Sequence, residues 1–166
     1  MTAETVPGSV QSTDNLRITF VPAGSNALSV AILNGGTAKD ITYSLTPDGW
    51  NFPITEAEAE DKRLSLGQNG SLPGTSKLGP ITLKYVHGDA ADVAKAALTL
   101  GIAGTIVYRD STPNATVYTV GQKVDTITIK AGRQRKDSPT ENGQQTMQQA
   151  LYVPAGGYVA GAVLVA

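Results

Sequence analysis

Apolar and polar residues alternate with a period of two in several short stretches of this chain, and that spacing predicts β-strands. Leu16, Ile18 and Phe20 alternate with Arg17 and Thr19; Ile41, Tyr43 and Leu45 with Thr42 and Ser44; Ile81, Leu83 and Tyr85 with Thr82 and Lys84. The apolar run 28–33 reads as a strand buried on both faces, and Asn34-Gly35-Gly36 as a tight turn leading from it to the strand at 41–45. Farther on, residues 104–109, 115–120, 123–130, 144–153 and 158–166 continue the pattern. Within 123–130, Val124, Thr126 and Thr128 fall on one face, against Asp125, Ile127 and Ile129 on the other.

The period changes once. Val93, Ala96, Ala97 and Leu100 recur at helical spacing, so a single helix is expected over about 89–100. Asp89 is placed to cap it, Asp92 adds an acid to its first turn, and Gly101 stands where a helix ends. So short and alanine-rich a helix needs a sheet to lie on. Between residues 46 and 80 no period appears. Trp50, Phe52, Ile54, Leu64, Leu66, Leu72 and Leu78 are scattered among glycines and prolines, and 55–61 reads as a solvated acidic loop. So long a connection without a period of its own is usually functional or ordered by a partner, although it also suits a loop folded back on its own domain. Residues 1–15 read as an N-terminal arm and 16–166 as one domain.

Composition narrows the chemistry. With 40% apolar and 16% charged residues, much of the surface is neutral, as suits a protein that contacts other proteins. A net charge of −1 argues against nucleic-acid binding by bulk electrostatics. The chain has no cysteine, which excludes disulfides, thiol catalysis and thiolate metal sites. His87 is the one histidine and reads as a strand-end residue rather than a base or ligand. No phosphate-loop, dinucleotide-loop, nucleophile-elbow or EF-hand spacing occurs, so no catalytic residue, cofactor or metal is expected and the chain does not read as an enzyme. Lys130, Arg133, Arg135 and Lys136 cluster without interleaved aromatics, which fits an inter-subunit ion-pair loop at least as well as a phosphate site. A strand that carries an uncharged chain to Ala166 would leave an edge for another chain to cover.

The C-terminal half carries a family resemblance. The runs Gly104-Thr105-Ile106-Val107-Tyr108-Arg109 and Val120-Gly121-Gln122-Lys123-Val124-Asp125 lead to Ile129-Lys130-Ala131-Gly132-Arg133-Gln134-Arg135-Lys136-Asp137 and then Asn142-Gly143-Gln144-Gln145-Thr146-Met147-Gln148-Gln149. Together they resemble the major tail (tail tube) proteins of long-tailed bacteriophages. The resemblance covers residues 81–166; residues 16–50 match only in strand pattern and 51–80 hardly at all. It implies a β-sandwich with one flanking helix and a role in the virion, after synthesis in the host bacterial cytoplasm. It also implies rings of six copies whose sheets join into a β-barrel lumen, stacked through a long loop and the termini. Genomic DNA would pass through that lumen without sequence-specific binding, and a tape-measure protein and a tail terminator would be partners.

On that reading the candidates for ring and stacking contacts are Trp50, Phe52, Ile54, Leu64, Leu66, Arg133, Arg135, Lys136, Tyr158, Val163 and Val165. A lumen that lets DNA slide should be neutral or acidic, and Asp125, Thr126, Thr128 and Gln148 are the candidates to line it. Two other readings stand beside this one. One is a different β-rich virion or secretion component, such as a tail terminator, a decoration domain or a type VI-like tube protein. The other is a monomeric carbohydrate-binding module, whose aromatic platform would have to come from Trp50 and Tyr43.

Overall fold

The alternation at Ile81, Leu83 and Tyr85 becomes a strand with all three side chains fully buried, flanked by exposed Thr82 and half-buried Lys84. Residues 9–61, 70–88, 92–141 and 143–166 are described by a computed structural model of the chain. In chain order the strands are β1 (Arg17–Pro22), β2 (Lys39–Asp40), β3 (Leu45–Asn51), β4 (Ile54–Asp61), β5 (Gly70–Leu78), β6 (Ile81–Val86), β7 (Ala103–Arg109), β8 (Lys123–Ala131), β9 (Arg135–Lys136), β10 (Thr146–Tyr152) and β11 (Tyr158–Val163). Two short helices, α1 (Val30–Leu33) and α2 (Val93–Ala97), lie among them.

Every strand pair is antiparallel. β2-β1-β7-β8-β11 form one layer and β9-β10-β6-β3 the other, joined at a corner where Leu151 and Tyr152 of β10 pair with Ala131 and Lys130 of β8. The layers close over Ile18, Phe20, Ile106, Ile127 and Ile129 from the first and Ile81, Leu83, Tyr85, Met147 and Leu151 from the second. Trp50 of β3 crosses this gap to stack on Tyr108 of β7 at 5.6 Å, and Phe52 meets Tyr158 of β11 edge-on at 5.5 Å. This is a mainly antiparallel β-sandwich with few helices, the fold that the family resemblance implied. Gly104 is glycine because the Phe20 ring lies where its Cβ would stand.

The outer side of the first layer is partly roofed. Val21, Val107 and Val124 pack there under Leu33, Tyr118 and Leu164. Arg109, 1% exposed, stands against the Tyr118 ring at 4.7 Å and donates to the carbonyls of Thr116 and Pro113, each at 2.9 Å. Arg17 approaches the same ring at 4.8 Å and pairs with Asp40 at 3.0 Å. Three carbonyls and a ring face thus replace water around the Arg109 charge, and the guanidinium in return fixes the loop 113–118.

Several expectations give way. Residues 28–33 form α1 and its lead-in, not a strand, because a short apolar run fits either form and its one bridge, Ser29 to Val165, builds no ladder. No hairpin turns at Asn34. Its side chain instead donates to the Tyr118 carbonyl and accepts from the Tyr118 amide, so it pairs with the loop as a strand residue would. Residues 42–44 are a 3-10 turn, and the strand begins at Leu45. Residues 115–120 form no strand; the Arg109, Asn34 and Tyr118 bonds hold them.

The helix is shorter than 89–100. It starts at Val93, and Asp89 lies outside the described residues. Gln149 donates to the Leu98 carbonyl at 2.7 Å and Gln134 to those of Lys95 and Leu98, so two amides tie its C-terminal end to the sheet. The last strand stops at Val163. Leu164 is buried, and the Val165 amide and carbonyl bond to Leu28 and Val30, so the chain's end folds onto α1.

Two predictions follow from the buried polar groups. Arg109→Ala should lower unfolding free energy by about 3–5 kcal/mol, since it strands acceptor carbonyls and opens a cavity beside Tyr118. A loss under about 1 kcal/mol in a urea titration would refute the pinning role. Burial pushes the Tyr85 hydroxyl, which donates to Gln149, up to about 12. The fold therefore favours neutral Tyr85, and that stabilisation is complete below the unfolded value near 10 and is lost as pH rises toward 12. Thermal melts should show roughly 2–3 kcal/mol lost across this window, reduced in Tyr85→Phe.

Candidate assembly surfaces

The expected loop at 46–80 is instead one long hairpin, apart from residues 62–69, which lie outside the described residues. β3 pairs with β6, and beyond them β4 pairs with β5 from Ile54↔Leu78 to Asp61↔Gly70. Pro53 and Pro80 interrupt the ladder because neither has an amide hydrogen, and the Gly79 amide bridges the gap by donating to the Pro53 carbonyl at 2.9 Å. Ile54 through Glu60 and Gly70 through Lys77 are all exposed. Alternation along β4 puts Ile54, Glu56, Glu58 and Glu60 on one face and Thr55, Ala57 and Ala59 on the other. Gly74 sits at a bulge where the Ala57 carbonyl leaves no room for a side chain.

The outer face of the layer β9-β10-β6-β3 is open and polar. Register sets Arg135, Gln148 and Lys84 in one row and Ala150 and Thr82 in the next. Lys84 lies between Asp48 at 3.8 Å and Asp137 at 3.7 Å, so the cation in the middle of this face is flanked by two carboxylates. The Thr46 hydroxyl, which donates to Asp48 at 2.8 Å, and the Lys84 charge hold the Asp48 carboxyl below the usual carboxylate range. The two edges of this layer differ. On one side the chain 133–136 runs along β10 with Arg133, Arg135 and Lys136 exposed. On the other, β3 continues into β4 with Asp48, Glu56 and Glu58 exposed.

The four residues picked for the lumen do not share a surface within the subunit. Gln148 stands on the outer face just described, whereas Thr126 and Thr128 stand on the outer face of the other layer. Asp125 turns toward the interlayer side, where it accepts from the Tyr158 hydroxyl at 2.9 Å and the Gly161 amide at 2.8 Å. Of the contact candidates, Trp50, Phe52 and Tyr158 are half-buried against their own core, and Ile54, Arg133, Arg135, Lys136, Val163 and Val165 are exposed. Leu64 and Leu66 lie outside the described residues. The alternation of β6 marked Lys84 as outward-facing, but no sequence signal paired it with Asp48 and Asp137.

A β-sandwich whose second layer keeps two open edges, and from which an exposed hairpin extends, has surfaces that suit a structural subunit. The model of the phage tail tube protein family matches residues 3–166, nearly the whole chain. The chain belongs to that family, whose members are structural components of the phage tail and virion. No curated protein matches it. Its fold is similar to that of a chain in the cryo-EM structure of the anti-feeding prophage baseplate, 6-fold symmetrised, at 10% identity and a TM-score of 0.54, covering 91% of this chain and 94% of that one. No helix among the described residues is long and apolar enough to cross a membrane.

Because the hairpin's described side chains are exposed apart from half-buried Leu78, its removal should leave the fold intact. Replacing residues 54–78 with Asn-Gly lets Pro53 and Gly79 close a two-residue turn. The thermal midpoint should stay within about 4 °C of the parent, equivalent to about 1 kcal/mol. A collapse of the melt would mean that the hairpin contributes to the core.

Proposed function

We propose that this protein is the repeating subunit of a phage tail tube, in which rings of six copies stack around a channel for DNA. The projecting hairpin carries this reading. An isolated two-stranded ladder is marginal in water, so one exposed from Ile54 to Glu60 and from Gly70 to Lys77 is completed by another copy. In the ring, the layer β9-β10-β6-β3 of each copy continues into that of the next, so that backbone groups on open edges find partners. Its outer face turns to the bore. That face suits passage of a polyanion, because Thr82, Gln148 and Ala150 are uncharged, Lys84 is flanked by two carboxylates, and the exposed Arg135 stands at its border, where the next copy adjoins. The outer face of the other layer is half-roofed by α1, Tyr118 and Leu164, which makes it the worse lining. Six copies agree with the six-fold symmetry of the similar baseplate structure. A tape-measure protein inside and a terminator at the end complete the partners.

Negative-stain microscopy of the concentrated protein should show rings or tubes with a central hole. The variant in which Asn-Gly replaces 54–78 should remain folded and form no tubes. Monodisperse small particles from the parent protein at high concentration would overturn the proposal, and normal tubes from the variant would remove the hairpin from assembly.

A further inference from the structure

The border of the second layer beside β10 is basic, and the hairpin strand that prolongs its β3 edge is acidic. Arg133, Arg135 and Lys136 on one side and Glu56 and Glu58 on the other make no ion pair among the described residues. They are placed so as not to meet in one chain. Followed along the layer, Arg135 stands level with Lys84 and Lys136 with Tyr85. Glu56 and Glu58 lie the other way, beyond the Asn51↔Thr82 pair and past the proline break. The acidic groups sit on β4, whose free edge continues that of β3; the basic groups sit on the chain that borders β10.

We infer that these edges recognise each other between copies: the β3–β4 edge of one subunit docks beside residues 133–136 of the next, with Glu56 and Glu58 set against Arg135 and Lys136. This rests on the tail tube reading and specifies which surfaces meet. The partner is a second copy because the complementary charge is present on this same chain, on a different edge. The contact is therefore head-to-tail, the kind that closes into a ring or propagates, and not a two-fold pairing, which would set acid against acid.

Charge reversal tests it with the full chain. Glu56→Lys with Glu58→Lys gives a subunit basic on both edges; Arg135→Glu with Lys136→Glu gives one acidic on both. All four positions are exposed, so thermal melts of both variants should match the parent. Each variant alone should lose assembly, with pelletable tube falling at least tenfold. An equimolar mixture should regain it by alternation around the ring, as should a chain carrying all four changes. Parent-like assembly of either variant alone would overturn the inference, and so would failure of both the mixture and the fourfold variant while the parent still forms tubes. Failure of the parent itself to assemble would strike the tail tube reading instead.

Discussion

The constraint on which this structure turns is that β4 and β5 pair their backbones with each other while their described side chains, Leu78 apart, stay exposed. A ladder of two strands fixes many backbone dihedrals for a modest return, and without a covered face it gains almost no hydrophobic stabilisation. Pro53 and Pro80 separate it from the sheet, so β3–β6 pairing cannot propagate amide by amide into the hairpin. Only the Gly79 amide on the Pro53 carbonyl bridges the break. Such a segment serves folding poorly and contact well. It presents both faces and a free edge at a distance from the core.

The rest of the subunit is built to be stable without it. The interlayer core draws its buried residues from β1, β6, β7, β8 and β10, and cross-layer aromatic pairs hold β3 even though β3 is an edge. Where apolar cover runs short, polar side chains act as braces. Gln149 and Gln134 hold a helix too short to hold itself, and Arg109 secures a loop that has no strand partner. These braces are internal and leave the second layer's outer face and edges free.

This division explains what could be read from the residues alone. β1, β6, β7, β8 and β10 were legible because alternate positions of each enter the interlayer core, so a period-two signal was written there in large apolar residues. β4 was not, because both its faces are exposed: Glu56-Ala57-Glu58-Ala59-Glu60 alternates charge with alanine, which reads as an acidic loop when no apolar face marks it. Residues 28–33 failed for the opposite reason. They are apolar except at Ser29, and periodicity cannot separate a short helix from a buried strand. Thr126 and Gln148 looked equivalent as polar residues on strands. Which outer face each occupies depends on how the sheet folds over at the Lys130–Tyr152 corner, a long-range fact absent from local pattern. The basic residues at 133–136 were visible as a cluster, but the acids that match them were hidden in the segment whose structure was misread.

Charge on open edges does two things at once. Unpaired strands invite indiscriminate addition of other strands, and charged side chains suppress it by making most alignments repulsive. When the two edges of one layer carry opposite sign, the repulsion is selective. Acid against acid and base against base are both disfavoured, which leaves the single head-to-tail alignment. At physiological ionic strength the Debye length is about 8 Å, so these charges act near contact and do little at a distance. Their contribution is therefore to register and direction, while the gain in stability comes from the backbone pairs and apolar contacts that a correct alignment allows. A subunit of this design can stay dispersed while dilute and still add to a growing edge in only one orientation.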